Sequence, residues 1–260
     1  MLFDAVSSAG SHLISPVTAT SPLSLGPSPV LSILMLVGLG LLAFAFLMVS
    51  SFVKIAVVLS ILRTAIGLNN IPPASVITGL AIILSIYVMA PTGMAVGREI
   101  KPALNVMGNN YFEEGGPRDR ERRGGGSTKE RVDILLGSLS RAKRPIVKFL
   151  KRHAHKREVT LFTRMSKRSY REAGLGEVSE SSLVVLIPAF IISELKVAFQ
   201  IGFLLFVPFL VIDILVSNIL MALGMHMLSP TTISLPFKLL LFVMANGWYL
   251  LTHGLVSGYF

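Results

Sequence analysis

The chain has 260 residues, 52% hydrophobic and only 15% charged, with a mean hydropathy of +0.70, whereas an average soluble domain carries about 25% charged residues. Against 14 Asp and Glu stand 24 Lys and Arg, a net charge of +10. Together these exclude an ordinary soluble domain. The lack of cysteine excludes disulfides and thiolate chemistry and leaves the redox compartment open.

Residues 1–29 are rich in Ser and Pro and contain Asp4 but no Lys or Arg. A cleavable signal peptide needs a basic n-region, so this stretch reads as a disordered arm. Residues 30–97 read as a first apolar helical hairpin. Its first half, Val30–Leu62, is interrupted only by Lys54 and would form a helix roughly 50 Å long at about 1.5 Å per residue, against a hydrocarbon core of about 30 Å. It is therefore either tilted and kinked or packed in protein, the second being favoured. Gly67 and the Asn69–Pro73 tract should end it, because glycine suits helix C-termini and proline cannot continue a helix. In the second half, Ala74–Gly97, Pro91 is followed by Gly93 and Gly97, a small-xxx-small spacing that permits close helix contact.

Residues 98–180 hold 20 of the basic and 11 of the acidic side chains, a net of +9. Within them the tract 113–131 is dominated by Gly, Arg and Glu with no aliphatic residue to bury, and should be flexible. Lys129–Arg152 and a shorter segment around Val159, Phe162 and Met165 carry amphipathic helical patterns, with Pro145 expected to kink or divide the first. A basic surface of this kind can mean nucleic acid. Here a polar face between apolar blocks explains it better, and no nucleic-acid partner is expected.

Residues 181–260 should form C-terminal apolar hairpins. Leu183–Leu228 spans 46 residues with no polar loop and is expected to be a tight hairpin or bent helix pair kinked at Pro188 and Pro208. Glu194, Lys196 and Asp213 lie inside it. At a bilayer centre each would cost roughly 2.5–3.5 kcal/mol on insertion scales, so they need partners on other helices or other chains. Gly254 and Gly258 repeat the small-residue spacing near the end. In all, hydropathy suggests four or five membrane-type helices.

No catalytic, cofactor or metal site is expected. Gly124–Lys129 has the wrong order for a phosphate loop, and His153 and His155 lie two apart in a basic run without a nearby Cys or carboxylate cluster. A small-solute or proton-coupled transporter, with Glu194, Lys196 and Asp213 as its relay, is the alternative function. Inverted repeats would favour it, and none is evident.

The run Ser193-Glu194-Leu195-Lys196-Val197-Ala198-Phe199-Gln200-Ile201-Gly202-Phe203, continuing through Pro208–Asp213, Met221–Met225, Leu228-Ser229-Pro230 and Ile233–Leu239, resembles the FliP/SctR (YscR/HrcR) family of flagellar and type III secretion export-gate subunits. Ser51-Phe52, Leu62-Arg63, Gly67, Pro72-Pro73 and Met89-Ala90-Pro91 resemble its first hairpin. The resemblance covers roughly 31–107 and 134–260. Asn246, where an acidic residue is typical, His226 inside a methionine cluster, and the basic centre depart from the pattern.

The resemblance implies an all-α fold: membrane-associated long helical hairpins that assemble into a helical multi-subunit export gate. Its partners would be further copies of itself in a pentameric arrangement, two smaller subunits of the SctS/FliQ and SctT/FliR types, membrane lipid, and the unfolded secreted proteins that pass through the centre. It also implies a multi-pass protein of the bacterial inner membrane with residues 98–180 on the periplasmic side. The positive-inside rule would place them in the cytoplasm, but long regions respond weakly to it. Met225, His226 and Met227 would lie in a methionine-rich loop at the narrowest part of the gate, and Glu194, Lys196, Asp213 and Lys238 would serve as buried charges in assembly. The motif wording leans toward virulence-type secretion over flagellar export.

Overall fold

The structure is a computed structural model and describes residues 29–67, 72–108 and 128–260. Every regular element among them is a helix: α1 (Pro29–Met48), α2 (Phe52–Ile66), α3 (Ala74–Gly108), α4 (Thr128–His153), α5 (Lys156–Glu172), α6 (Leu183–Ala222), α7 (Pro230–Met244) and α8 (Gly247–Ser257). The arm at 1–28 and most of the tract 113–131 lie outside the described residues. The chain divides into two compact units at Phe44/Ala45. The first contributes most of α1, whose 20 residues include no charged side chain.

The long apolar block at 30–62 is broken after Met48 rather than continuous. Ser50 provides the local reason. Its hydroxyl donates to the Leu47 carbonyl at 2.7 Å and accepts from the Phe52 N–H at 3.2 Å, so a side chain takes over backbone groups that a helix would otherwise pair. α2 then ends at Gly67, whose φ of +85° is the left-handed conformation glycine adopts without steric cost. The second helix of the hairpin passes the expected boundary at residue 97 and runs unbroken to Gly108, with Pro91 and Pro102 inside it. Likewise Pro145 does not divide α4.

The block at 183–228 also departs from expectation. Leu183–Ala222 is one helix of 40 residues, about 60 Å long at 1.5 Å per residue, with both prolines inside it. A proline removes one backbone hydrogen bond, whereas a turn in mid-block would strand several unpaired N–H and C=O groups in apolar surroundings, where each costs several kcal/mol. Continuity is the cheaper solution.

In the second unit, Ala45–Phe260, α2 packs against α3, α6 and α7. Ile55, Val58, Leu59 and Leu62 on α2 are fully or almost fully buried among Ala81, Ala198, Phe209, Phe242 and Leu255. A second core joins α4 to the first half of α6 through Leu150, Leu186, Ala189 and Phe190. α3 lies along α4, and α5 along α6. Among the described residues two helices, over Ala74–Asn105 and Leu183–Ala222, are long and apolar enough to cross a membrane, rising to four if each bent pair counts as one span.

Candidate functional site

α6 carries three charged positions, and each meets its partner on another helix or segment of the same chain. Glu194 is 3% exposed. Its Oε2 lies 3.4 Å from Lys54 Nζ on α2 and accepts the Tyr259 hydroxyl, while Lys54 Nζ sits 3.5 Å above the centroid of the Tyr259 ring. The ammonium therefore has a carboxylate on one side and an aromatic face on the other, an arrangement that offsets part of its desolvation. Ser51 and Ser85 hydrogen bond nearby at 3.1 Å and tie the start of α2 to α3.

Nineteen residues further on, Asp213 faces α7. Its Oδ2 is 2.6 Å from Lys238 Nζ, and its Oδ1 accepts the Ser234 hydroxyl. Lys238 also donates to the Ala65 carbonyl at 3.2 Å, near the end of α2. This cluster satisfies one of the carbonyls that a helix C-terminus leaves unpaired and pins α2, α6 and α7 together.

Lys196 differs from the others. Its side chain is 43% exposed and reaches Glu158 Oε1 on α5 at 3.3 Å. The Glu158 side chain is 9% exposed, and its second oxygen has no protein partner. Burial pushes the Glu158 carboxyl up, but its own backbone, the Lys196 ammonium and His155 together outweigh burial and hold it below the usual carboxylate range. Next to it, the Ser193 hydroxyl donates to the Ala189 carbonyl and accepts the His155 N–H at 2.9 Å, fixing the α4–α5 turn on α6.

Between α6 and α7 the methionine segment forms an exposed turn. Gly224 takes a φ of +72°, and the Met225 N–H bonds back to the Leu220 carbonyl at 2.9 Å, the six-to-one bond of a Schellman ending. Met227 is 99% and Met225 47% exposed, and His226 is exposed between them. The turn thus offers unbranched thioethers outward on a backbone whose own groups are largely paired.

The glycines separate into two kinds. At Gly93, Gly97 and Gly254 an added Cβ would meet nothing within 4 Å, and at Gly258 only the Gly254 carbonyl at 3.4 Å lies in tight range. None of these supports a close helix crossing within the chain. Gly202 does: a Cβ there would lie 2.3 Å from Ile61 Cδ1, so α2 and α6 approach each other only because residue 202 has no side chain. Sequence reasoning passed over Gly202 as a contact, along with Tyr259, Glu158 and Ser234. Lys54 was visible as the one charge in its block. Among the described residues no group of three or more His, Asp or Glu side chains is placed to hold an ion.

The model of the FliP family matches residues 35–255, from α1 through α8. The chain belongs to the FliP family. Among similar proteins, the Yop proteins translocation protein R of Yersinia pestis is 42% identical over 238 residues, covering 90% of this chain and 97% of the relative. The hypersensitivity response secretion protein HrcR of Ralstonia nicotianae is 38% identical over 227 residues, 87% of this chain and 95% of the relative. The flagellar biosynthetic protein FliP of Bacillus subtilis is 36% identical over 213 residues, 82% and 84% respectively. All three bonded positions of α6 fall inside the FliP-family match, whereas the arm at 1–29 does not.

Proposed function

We propose that this FliP-family chain is a core subunit of a type III protein secretion export gate, through which unfolded proteins cross the bacterial inner membrane. The observation that carries the reading is the near full-length similarity to proteins named for translocation, secretion and flagellar biosynthesis, on an all-helical chain with helices long enough to cross a bilayer. Further copies of the chain, in a pentameric arrangement, and two smaller subunits of the SctS/FliQ and SctT/FliR types complete the gate. Residues 98–180, which include α4 and α5, face the periplasm in this arrangement, and Met225, His226 and Met227 line its narrowest part. The role is that of a structural channel component and not of an enzyme.

Deleting the gene in its own bacterium should abolish secretion through the apparatus, with restoration by the tagged full-length chain. The tagged chain, extracted in mild detergent, should carry two smaller membrane proteins with it. Normal secretion in the deletion strain, or a tagged chain recovered without membrane partners, overturns the proposal.

A further inference from the structure

Two neighbouring hollows on one side of the chain differ in chemistry. The first, of about 330 Å³, lies between Gly93, Val96 and Gly97 on α3 and Phe149 on α4, with Phe46 and Val49 at the end of α1 also lining it. Gly93 and Gly97 shape it, since with no Cβ on either, nothing stands within 4 Å of where one would be. The second, of about 270 Å³, shares Thr92 and Phe149 with the first and continues past Lys148, Arg152 and His153 toward Phe260. No Asp or Glu side chain lines either hollow.

Arg152 donates to the main-chain oxygen of Phe260 at 2.6 Å through one nitrogen, and its guanidinium carries further N–H groups for a second acceptor. Lys148 is exposed, one helical turn away on the same face of α4, and Arg144 precedes it by another turn. The apolar hollow lies against a helix able to span a bilayer, and its basic continuation lies on an amphipathic helix ending in Lys151, Arg152 and His153. A seam that is apolar at one end and cationic at the other matches a molecule with a hydrocarbon tail and an anionic head.

We propose that this seam binds one anionic phospholipid, with an acyl chain between α3 and α4 over Gly93 and Gly97 and the headgroup phosphate on Lys148 and Arg152. The proposal requires a membrane setting but is independent of protein export, so a chain without secretion activity can still bind lipid here. Volumes of about 300–1,000 Å³ are usual for small-molecule pockets, and the apolar hollow accepts one chain segment rather than a whole lipid.

The test is native mass spectrometry of the purified full-length chain in detergent, titrated with phosphatidylglycerol or phosphatidylcholine. Each basic residue at an anionic lipid head is worth about fivefold in affinity, so phosphatidylglycerol should bind at least tenfold more tightly. The K148Q/R152Q variant should lose that preference while still binding phosphatidylcholine, whereas K143Q/K151Q, with the same charge removed from elsewhere on α4, should keep it. Gly97→Leu should weaken both lipids with the melting temperature unchanged. Equal affinity for the two lipids, equal losses in the two charge variants, undiminished binding by Gly97→Leu, or displacement of phosphatidylglycerol by inorganic phosphate each overturn the proposal. So does a disulfide-linked pair of chains formed by Gly97→Cys in membranes, which would make a second copy the occupant.

Discussion

At the scale of single residues, the apolar helices carry their charges as closed clusters. Lys54 and Glu194 have side chains only 6% and 4% exposed, so removing one partner leaves the other ionised in a medium that cannot solvate it. Lys54→Met should therefore destabilise the purified chain by about 3–5 kcal/mol, seen as a large fall in melting temperature in detergent. Lys54→Met combined with Glu194→Leu should recover much of that loss, because no uncompensated charge remains; a double variant no more stable than Lys54→Met would mean that the pair is not the origin of the effect. The need for partners at Glu194, Lys196 and Asp213 is legible in the sequence, since ions are expensive in apolar surroundings. Their identity is not. Tyr259 lies 65 positions from Glu194, and no local spacing rule connects residues that meet only after helices cross.

At the scale of elements, the seam between α2 and α6 depends on one absent side chain. Gly202→Ala would set a methyl 2.3 Å from Ile61 Cδ1 and should cost about 1–3 kcal/mol as overpacking. Because the obstacle is the tip of a flexible side chain, Gly202→Ala with Ile61→Ala should regain most of the stability in thermal unfolding. A fully stable Gly202→Ala single variant would show that the helices separate freely at this point. The sequence marks the helix ends where a residue has a backbone reason to stop, as at Gly67 and Gly224, whose φ values are +85° and +72°. It marks them poorly where proline is the only cue, since Pro91, Pro145, Pro188 and Pro208 all lie inside continuous helices. At Pro91, Pro188 and Pro208, on the apolar helices, the proline's local cost is outweighed by the larger cost of exposing a turn's backbone in apolar surroundings.

At the scale of the whole molecule, the exposed turn after α6 is the feature that the proposed gate uses most directly. Methionine adapts its shape without offering fixed hydrogen bonds, which suits a seal around varied passing chains. Replacing Met225 and Met227 together with Ala should raise ion leakage through the assembled complex while leaving its subunit composition intact. Unchanged leakage in a fully assembled complex counts against the seal. Neither methionine supports the core, Met227 being 99% exposed, so the variant probes the opening rather than folding.

The cluster around Glu194 also sets an order of events in synthesis. Lys54 is made with the second helix, Glu194 only after α5, and Tyr259 only after α8. During most of translation the ammonium of Lys54 has no carboxylate to meet, and the carboxylate later waits for its hydroxyl. A chain cut short before α6 is left holding a cation without its carboxylate in an apolar helix, a costly state in a bilayer. Neutralising the interior is thus a step that waits for α6, and the hydroxyl that closes the cluster arrives later still.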